Sequence, residues 1–265
     1  MKILAIGDPH GNLEKIKKIP TNGVDIILLT GDLGKADFAR KRFFENIKRK
    51  TEGLPKLKYT SKDKKEEMTE INNSTLGVLK YLSKNAEVYA ICGNVGVSTL
   101  SEIKRENKKY NLNLSSTLEQ IKKMKDVYLI KNKIKDVQGL RIGFLEYFID
   151  TCWVKEFKPK DYEKSMRNAR KETEKAKRIL NYFKNADILV CHQPPYGCLD
   201  KVNFPGVPEH WKGKHAGSKV ILDYIKKYQP KYVFCGHIHE GEGHTKIGKT
   251  EVYNLGVAGH KIINL

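Results

Sequence analysis

Six short apolar runs recur along the chain, each closed by glycine or by polar residues: KILAIGD (2–8), DIILLTGD (25–32), EVYAICGN (87–94), LRIGFLEYF (140–148), DILVCHQ (187–193) and YVFCGHIH (232–239). Runs that are apolar at consecutive rather than alternate positions predict strands buried on both faces of a sheet. Between them the period changes. Residues 13–19 place Leu13, Ile16 and Ile19 on one stripe ahead of Pro20, and residues 161–184 carry Tyr162, Met166, Ala169, Thr173, Ala176, Leu180 and Phe183 at helical spacing. Thr99 with Glu102, and Ser116 with Glu119, have the spacing of capping boxes that open two further helices.

Two regions depart from this alternation. Residues 35–86 form a Lys-rich crossover in which Phe43, Ile47, Met68, Ile71, Leu79 and Leu82 fall on helix faces around the looser TEGLPKLKYTSKDKK. Residues 127–148 predict two or three strands joined by turns at KNK and QGL, and HTKIGKTEVYNLG predicts a hairpin turning at Gly248. Strands that alternate with helices and then gather into hairpins predict an α/β chain with mixed sheets, two of them face to face with helices outside. The expectation is one domain over residues 1–265, with 35–86 as an elaboration.

The 265 residues are 39% hydrophobic and 31% charged, with a formal net charge of +19, a composition of globular rather than disordered chains. The excess of Lys and Arg attracts phosphate esters, nucleic acid and acidic membranes alike, and does not choose among them. Much of it lies in helix-like stretches such as RKRFFENIKRK, where a solvated face is the ordinary explanation. No helix-turn-helix, RNP or zinc-finger signature accompanies it. No apolar run approaches the ~18 residues of a membrane span, and Met1-Lys2 leads straight into ILAIGD, so a cytoplasmic protein is expected. The five cysteines are odd in number and lack CxxC spacing, which argues against a disulfide framework or zinc knuckle. Cys92, Cys191 and Cys235 end apolar runs and pack as small hydrophobes.

The chemistry gathers where the strands end. The runs close in Asp8-Pro9-His10-Gly11-Asn12, in Gly31-Asp32, in Gly93-Asn94, in His192 and in Gly236-His237-Ile238-His239. In open α/β sheets functional groups collect beyond the carboxyl ends of strands. Singly, Asp32 reads as a helix cap, Asn94 as a turn residue and His192 as a structural histidine. Jointly, two carboxylates, four imidazoles and an amide read as a metal site. Oxygen and imidazole donors without thiolate suit Mn, Fe, Co or Zn. Seven ligands exceed one tetrahedral site, whereas a pair of ions about 3.5–4 Å apart, sharing one carboxylate, would use them all and generate hydroxide near neutral pH. The helix starts after HGN and GNVG offer free N–H groups to an anion.

In order and over nearly the whole chain, Asp8/His10, Gly31-Asp32, Gly93-Asn94, His192 and Gly236-His237-Ile238-His239 resemble the motifs of the calcineurin-like metallophosphoesterases. HQPPYGCLD and HAGSKVILDYIKKYQPKYVFCGHIHEG are similar to a prokaryotic branch of predicted phosphoesterases. The resemblance implies a four-layer α-β-β-α sandwich of two mixed sheets. It implies one divalent ion on Asp8, His10, Asp32 and His239 and a second on Asp32, Asn94, His192 and His237, with Asp32 bridging. A hydroxide held by the pair would attack a phosphomonoester or phosphodiester in line with its leaving oxygen.

The chain departs from the family at one place. After G-N the family usually carries a histidine that contacts phosphate and protonates the leaving group, with an acidic neighbour; Val95 and Gly96 stand there instead. Loss of a general acid costs roughly 10² to 10⁴-fold. His215, in the Gly-flanked GKHAGSK before a helix, is the candidate to fill that role, against a local packing role; His210, His244 and His260 are alternatives. Asn12 either touches substrate or caps the helix beginning at Leu13. A non-catalytic metal-binding or protein-interaction scaffold, and a nuclease or nucleic-acid-binding protein, are the other readings, and nothing in the sequence sets the oligomeric state.

Overall fold

The computed structural model describes residues 1–204 and 207–265. The first half runs β1 (Lys2–Ile6), α1 (Leu13–Ile16), β2 (Ile26–Leu29), α2 (Asp37–Thr51), α3 (Ser61–Leu82), β3 (Glu87–Ala90), α4 (Leu100–Tyr110), α5 (Thr117–Lys122) and β4 (Val127–Leu129). The second half runs β5 (Lys133–Val137), β6 (Leu140–Leu145), α6 (Thr151–Phe157), α7 (Tyr162–Tyr182), β7 (Ile188–Cys191), α8 (Lys219–Tyr228), β8 (Tyr232–Cys235), β9 (Gly243–Ile247), β10 (Thr250–Asn254) and β11 (His260–Asn264). One sheet has the order β11-β1-β2-β3-β4 and the other β5-β6-β7-β8-β10-β9. In each the central strands are parallel and antiparallel strands lie at the edges: β11 in the first sheet, β5 and β9 in the second.

The unbroken hydrophobicity of the strands follows from this layering. Along β1, Ile3 and Ala5 face a core shared with Phe144, Val190 and Phe234 of the opposite sheet, while Leu4 and Ile6 face a second core with Leu79 and Leu82 of α3. On the far side of the other sheet Leu189 and Val233 pack with Leu180 of α7 and Ile221 of α8. The result is helix, sheet, sheet, helix, the expected four layers.

Several local expectations are met or corrected. α7 buries Met166, Ala169, Thr173, Ala176 and Leu180 as their spacing predicts. Thr99 and Glu102 form a reciprocal capping box. Ser116 caps α5 by accepting the Glu119 N–H, but the Glu119 carboxylate turns outward to Lys122 at 2.7 Å, so that box is only half made. Two strands stop before their apolar runs do, at Ala90 and Leu145, because the last residues of each run leave the ladder for the site. Of the three strands within 127–148, β4 joins the first sheet and only β5–β6 is a hairpin; Gln138 and Gly139, at φ 52° and 84°, make its two-residue turn. β9 and β10 turn at Gly248 as expected.

In the crossover, Leu79 and Leu82 are fully buried, whereas Phe43 and Ile47 are 60% and 44% exposed, so the apolar side of α2 does not face either core. Among the described residues no helix is long and apolar enough to cross a membrane.

Candidate metal centre

Parallel register brings the carboxyl ends of β1, β2 and β3 level, Ile6 beside Leu29 and Leu29 beside Ala90. β7 and β8 do the same in the other sheet, Val190 beside Phe234. The residues that follow these strands are then drawn together by short backbone contacts. Asp8, fully buried, accepts the Thr30 hydroxyl on Oδ1 at 2.7 Å and the His237 N–H on Oδ2 at 2.6 Å. A Cβ on Gly236 would lie 2.3 Å from Asp8 Oδ1, so only glycine lets the second sheet approach this carboxylate. Asp32 accepts the Val95 N–H at 2.7 Å, and a Cβ on Gly93 would lie 2.5 Å from its Oδ1. His10, Asp32 and His237 have φ of 43°, 43° and 66°, a left-handed conformation that side-chain-bearing residues adopt at a cost and that clusters at functional sites.

The donor atoms converge in two groups. Ligand atoms of Asp8, His10 and His239 lie within 4.8 Å of one another, as do those of Asp8, Asp32 and His192. His10 Nε2 is 3.2 Å from His239 Nε2, and His239 Nε2 is 3.3 Å from Asp8 Oδ2. Asp32 reaches both groups, Oδ2 at 3.7 Å from His10 Nε2 and Oδ1 at 3.6 Å from His192 Nε2. Asn94 Oδ1 sits between His192 Nε2 at 2.7 Å and His237 Nδ1 at 2.9 Å. Two donors each about 2.1 Å from one ion lie roughly 3.0 to 3.4 Å apart in octahedral or tetrahedral geometry, and these separations bracket that range.

The tautomers sharpen the fit. His192 Nδ1 lies 3.0 Å from the Thr30 carbonyl oxygen, which can only accept, so Nδ1 carries a proton. Its Nε2 then turns a lone pair toward the amide oxygen of Asn94. Two acceptors at 2.7 Å need a cation between them, the amide turned so that its NH2 donates, or a second proton on the ring. Burial opposes that proton, but the Asp32 and Asp8 carboxylates together pull the His192 pKa above its ordinary value. A divalent ion meets the same demand, and an imidazole anchored at its other nitrogen is the usual form of a metal-ligating histidine. Desolvation, reinforced by His192, pushes His237 down to about 3, leaving a neutral ring. Desolvation also lowers His10, against Asp32 and Asp8. Burial raises Asp8, but His192 and hydrogen bonds from His239, His237 and Thr30 more than reverse it and hold the carboxyl well below the usual range.

The remaining sequence candidates fall in different places. Asn12 accepts the Lys15 N–H at 3.0 Å, so it caps α1, and it also lines a cavity with His10, Arg40 and His239. His215 is held through Nδ1, 2.7 Å from Asp200, with its ring 5.1 Å from Tyr196; it lines none of the three cavities that His10, His237 or His239 line, although its neighbour Ala216 lines one. His244 pairs with Glu251 and stacks on Tyr253, His260 sits on edge strand β11, and His210 meets Trp211 edge-on.

Two residues absent from the motif reading join the site. Arg40 of α2 lines all three cavities, and its guanidinium has no hydrogen-bond or ion-pair partner among the described residues. One of these cavities, about 690 Å³, is also lined by His10, Asp32, Asn94, Val95, His237 and His239, so Arg40 and Val95 share a space with the candidate ligands. Tyr147, just past β6, sets its ring 5.1 Å from that of His237, and burial pushes its hydroxyl up to about 12. Glu146 beside it accepts the N–H groups of Cys92 and Gly93 and so braces the loop carrying Asn94. Extending the strand-end rule to LRIGFLEYF would have found Tyr147; Arg40 lies inside a charge run that carries no such signal.

The family profile described as calcineurin-like phosphoesterase matches residues 1–241. UPF0046 protein T07D4.2 of Caenorhabditis elegans is 25% identical over 264 residues, covering 96% of this chain and 55% of that protein. Uncharacterized protein MJ1162 of Methanocaldococcus jannaschii is 38% identical over 88 residues, covering 31% of this chain and 38% of that protein. The chain thus spans about half or less of the length of these curated relatives. A dimetal phosphatase from Danio rerio has a similar fold, with a TM-score of 0.51 at 11% identity, over 98% of this chain and 88% of that one. The matched span takes in every candidate ligand from Asp8 to His239, and this chain belongs to the calcineurin-like phosphoesterase family.

Proposed function

We propose that the protein is a metal-dependent phosphoesterase acting on a phosphomonoester or phosphodiester, with Asp8, His10, Asp32 and His239 holding one divalent ion and Asp32, Asn94, His192 and His237 a second. The observation that carries this reading is the convergence of Asn94 Oδ1, His192 Nε2 and His237 Nδ1, beside the facing nitrogens of His10 and His239, around two carboxylates. Nitrogen and oxygen donors without thiolate suit Mn, Fe, Co or Zn. When bound, a pair of such ions lowers the pKa of water to near neutrality and neutralises charge on a phosphoryl group.

The chain's own groups would do the rest. Arg40, cationic and unpaired, faces the ligands and would hold a non-bridging phosphoryl oxygen by charge-assisted hydrogen bonds. Val95 offers no proton to the leaving oxygen at the place where the family has a histidine, so acidic leaving groups such as nitrophenolate are favoured. Tyr147 keeps its proton at neutral pH and packs its ring against His237, restraining that imidazole.

Hydrolysis of p-nitrophenyl phosphate and its bis ester with added Mn²⁺ tests the reading. Turnover of one or both is expected, lost in Asp32→Ala and His237→Ala. No turnover of either by protein shown to carry metal would overturn it. Val95 also favours a second reading, a scaffold that has given up catalysis, and elemental analysis finding no metal after purification with Mn²⁺ present would support that one.

A further inference from the structure

A cavity of about 590 Å³ opens beside His237 and His239, within the roughly 300–1,000 Å³ typical of small-molecule sites. Its wall is aromatic. Trp153 stacks on Phe157 with centroids 5.0 Å apart and planes at 21°, while Trp211 meets Phe157 edge-on at 5.1 Å and 80°. The rings therefore form two walls nearly at right angles, a corner that a flat ring can enter with one face stacked and one edge covered. Tyr147 closes the side toward His237, and Arg40 stands at the junction with the neighbouring cavities.

Local packing places these rings, with Trp153 and Trp211 lying partly buried against a small core, but leaves part of each indole open to the cavity. Phe157, Val202, Val207, Ala216 and Ile238 are buried together as a small core. Trp153 and Trp211 are only half-buried, and neither indole N–H has a protein acceptor among the described residues. A buried indole N–H usually has a protein partner, and one without it beside a cavity is free to donate to what enters. Two such rings next to the candidate ligands are suited to stack on a ligand and donate to its heteroatoms.

We infer that this cavity is a subsite for a flat aromatic ring carried on the alcohol side of the phosphoester, a nucleobase or a simple aryl group. The substrate class is then nucleotide or aryl phosphoesters rather than sugar or glycerol phosphates. This rests on the phosphoesterase reading, with Arg40 and the ligand cluster taking the phosphoryl end and the tryptophan corner the ring.

The chain has two tryptophans, and both line this cavity, so intrinsic tryptophan emission reports on it alone. The test titrates the Mn²⁺-loaded protein with phenylphosphonate, methylphosphonate, adenosine and phenol, reading emission for location and calorimetry for affinity. Stacking on an aromatic wall contributes on the order of tenfold in affinity, so phenylphosphonate should bind about that much more tightly than methylphosphonate and change the emission saturably. Trp211→Ala should erase the difference without altering methylphosphonate binding or Mn²⁺ content, and Trp211→Phe should restore most of it. Tighter binding of adenosine than of phenol assigns the subsite to a nucleobase, and the reverse order to an aryl group. Equal affinity for the two phosphonates with unchanged emission overturns the inference. Saturable quenching by adenosine in a protein that binds neither phosphonate and turns over no ester keeps the aromatic subsite and sinks the phosphoesterase reading; turnover with no aromatic preference does the reverse.

Discussion

The two halves of the candidate centre are built differently. His192 is fully buried, its Nδ1–H donating to the Thr30 carbonyl and its Nε2 facing Asn94. His10 and His239 have side chains 21% and 24% exposed and line open cavities. A dry, anchored ring is pre-arranged by its surroundings, although its partners Asn94 and His237 line the same cavity as His10 and His239. An open set admits water and substrate, and its electrostatics are screened. The contrast is between one ring fixed by its surroundings, His192, and two rings, His10 and His239, that meet solvent.

The largest expected effect comes from the residue that reaches both halves. Asp32→Ala should abolish turnover and leave less than one ion per chain by elemental analysis; a mutant that still holds one full ion would show that Asp32 is not shared and would break the comparison. Next, His192→Ala and His10→Ala should differ in kind. Removing the buried ring leaves a cavity and unpaired acceptors, and should cost about 2–4 kcal/mol of unfolding free energy in denaturant melts. Removing the open ring should cost under about 1 kcal/mol while taking away the outer ion. Similar losses from both would mean that the halves are equivalent.

A pH series on the metal-free protein sharpens the same point. His237 ordinarily titrates near 6.5 and is pushed down to about 3. Between those values the unfolded chain binds a proton that the folded one refuses, so stability should fall as pH drops from about 6.5 toward about 3. His10, also lowered, adds the same sign. His192, raised, contributes fully throughout that window and adds no slope to it. The midpoint of thermal unfolding should therefore decline with acidity, and His237→Gln should flatten the decline; an unchanged slope would assign it elsewhere.

The smallest effects separate Arg40, which lines the cavities of the candidate ligands, from His215, which does not. Arg40→Ala should raise KM roughly tenfold, the worth of one charge-assisted hydrogen bond. His215→Asn should leave kcat within about threefold, against the roughly 10² to 10⁴-fold loss expected of a general acid. A large kcat loss in the latter would bring His215 into the reaction after all.

How much of this was legible in the sequence depended on range. Asp8, Asp32, Asn94, His192 and His237 could be picked out because each follows an apolar run that forms a strand, and parallel strands align their ends. α7 was legible because twenty-one residues of helical spacing outweigh any local ambiguity. β11 was not, since its short HKIIN gains meaning only by pairing antiparallel with β1 from the far end of the chain. The crossover misled for another reason. Phe43 and Ile47 have the spacing of a core-facing stripe, yet the layers are already covered by α1, α3 and α5, and α2 is left outside with its apolar side exposed. The tryptophan corner is a tertiary product of α6 and a loop after β7, and no periodicity links them.

The split of ligands between sheets has a consequence for assembly. Asp8, His10, Asp32 and Asn94 follow strands of the first sheet, and His192, His237 and His239 follow strands of the second. Neither half of the chain alone carries a complete coordination set, so an ion bound at this edge would act as a clasp across the sandwich. Loading would then be all-or-none with docking of the two halves, and a pair of fragments cut within residues 130–133 would recover metal affinity only on recombining.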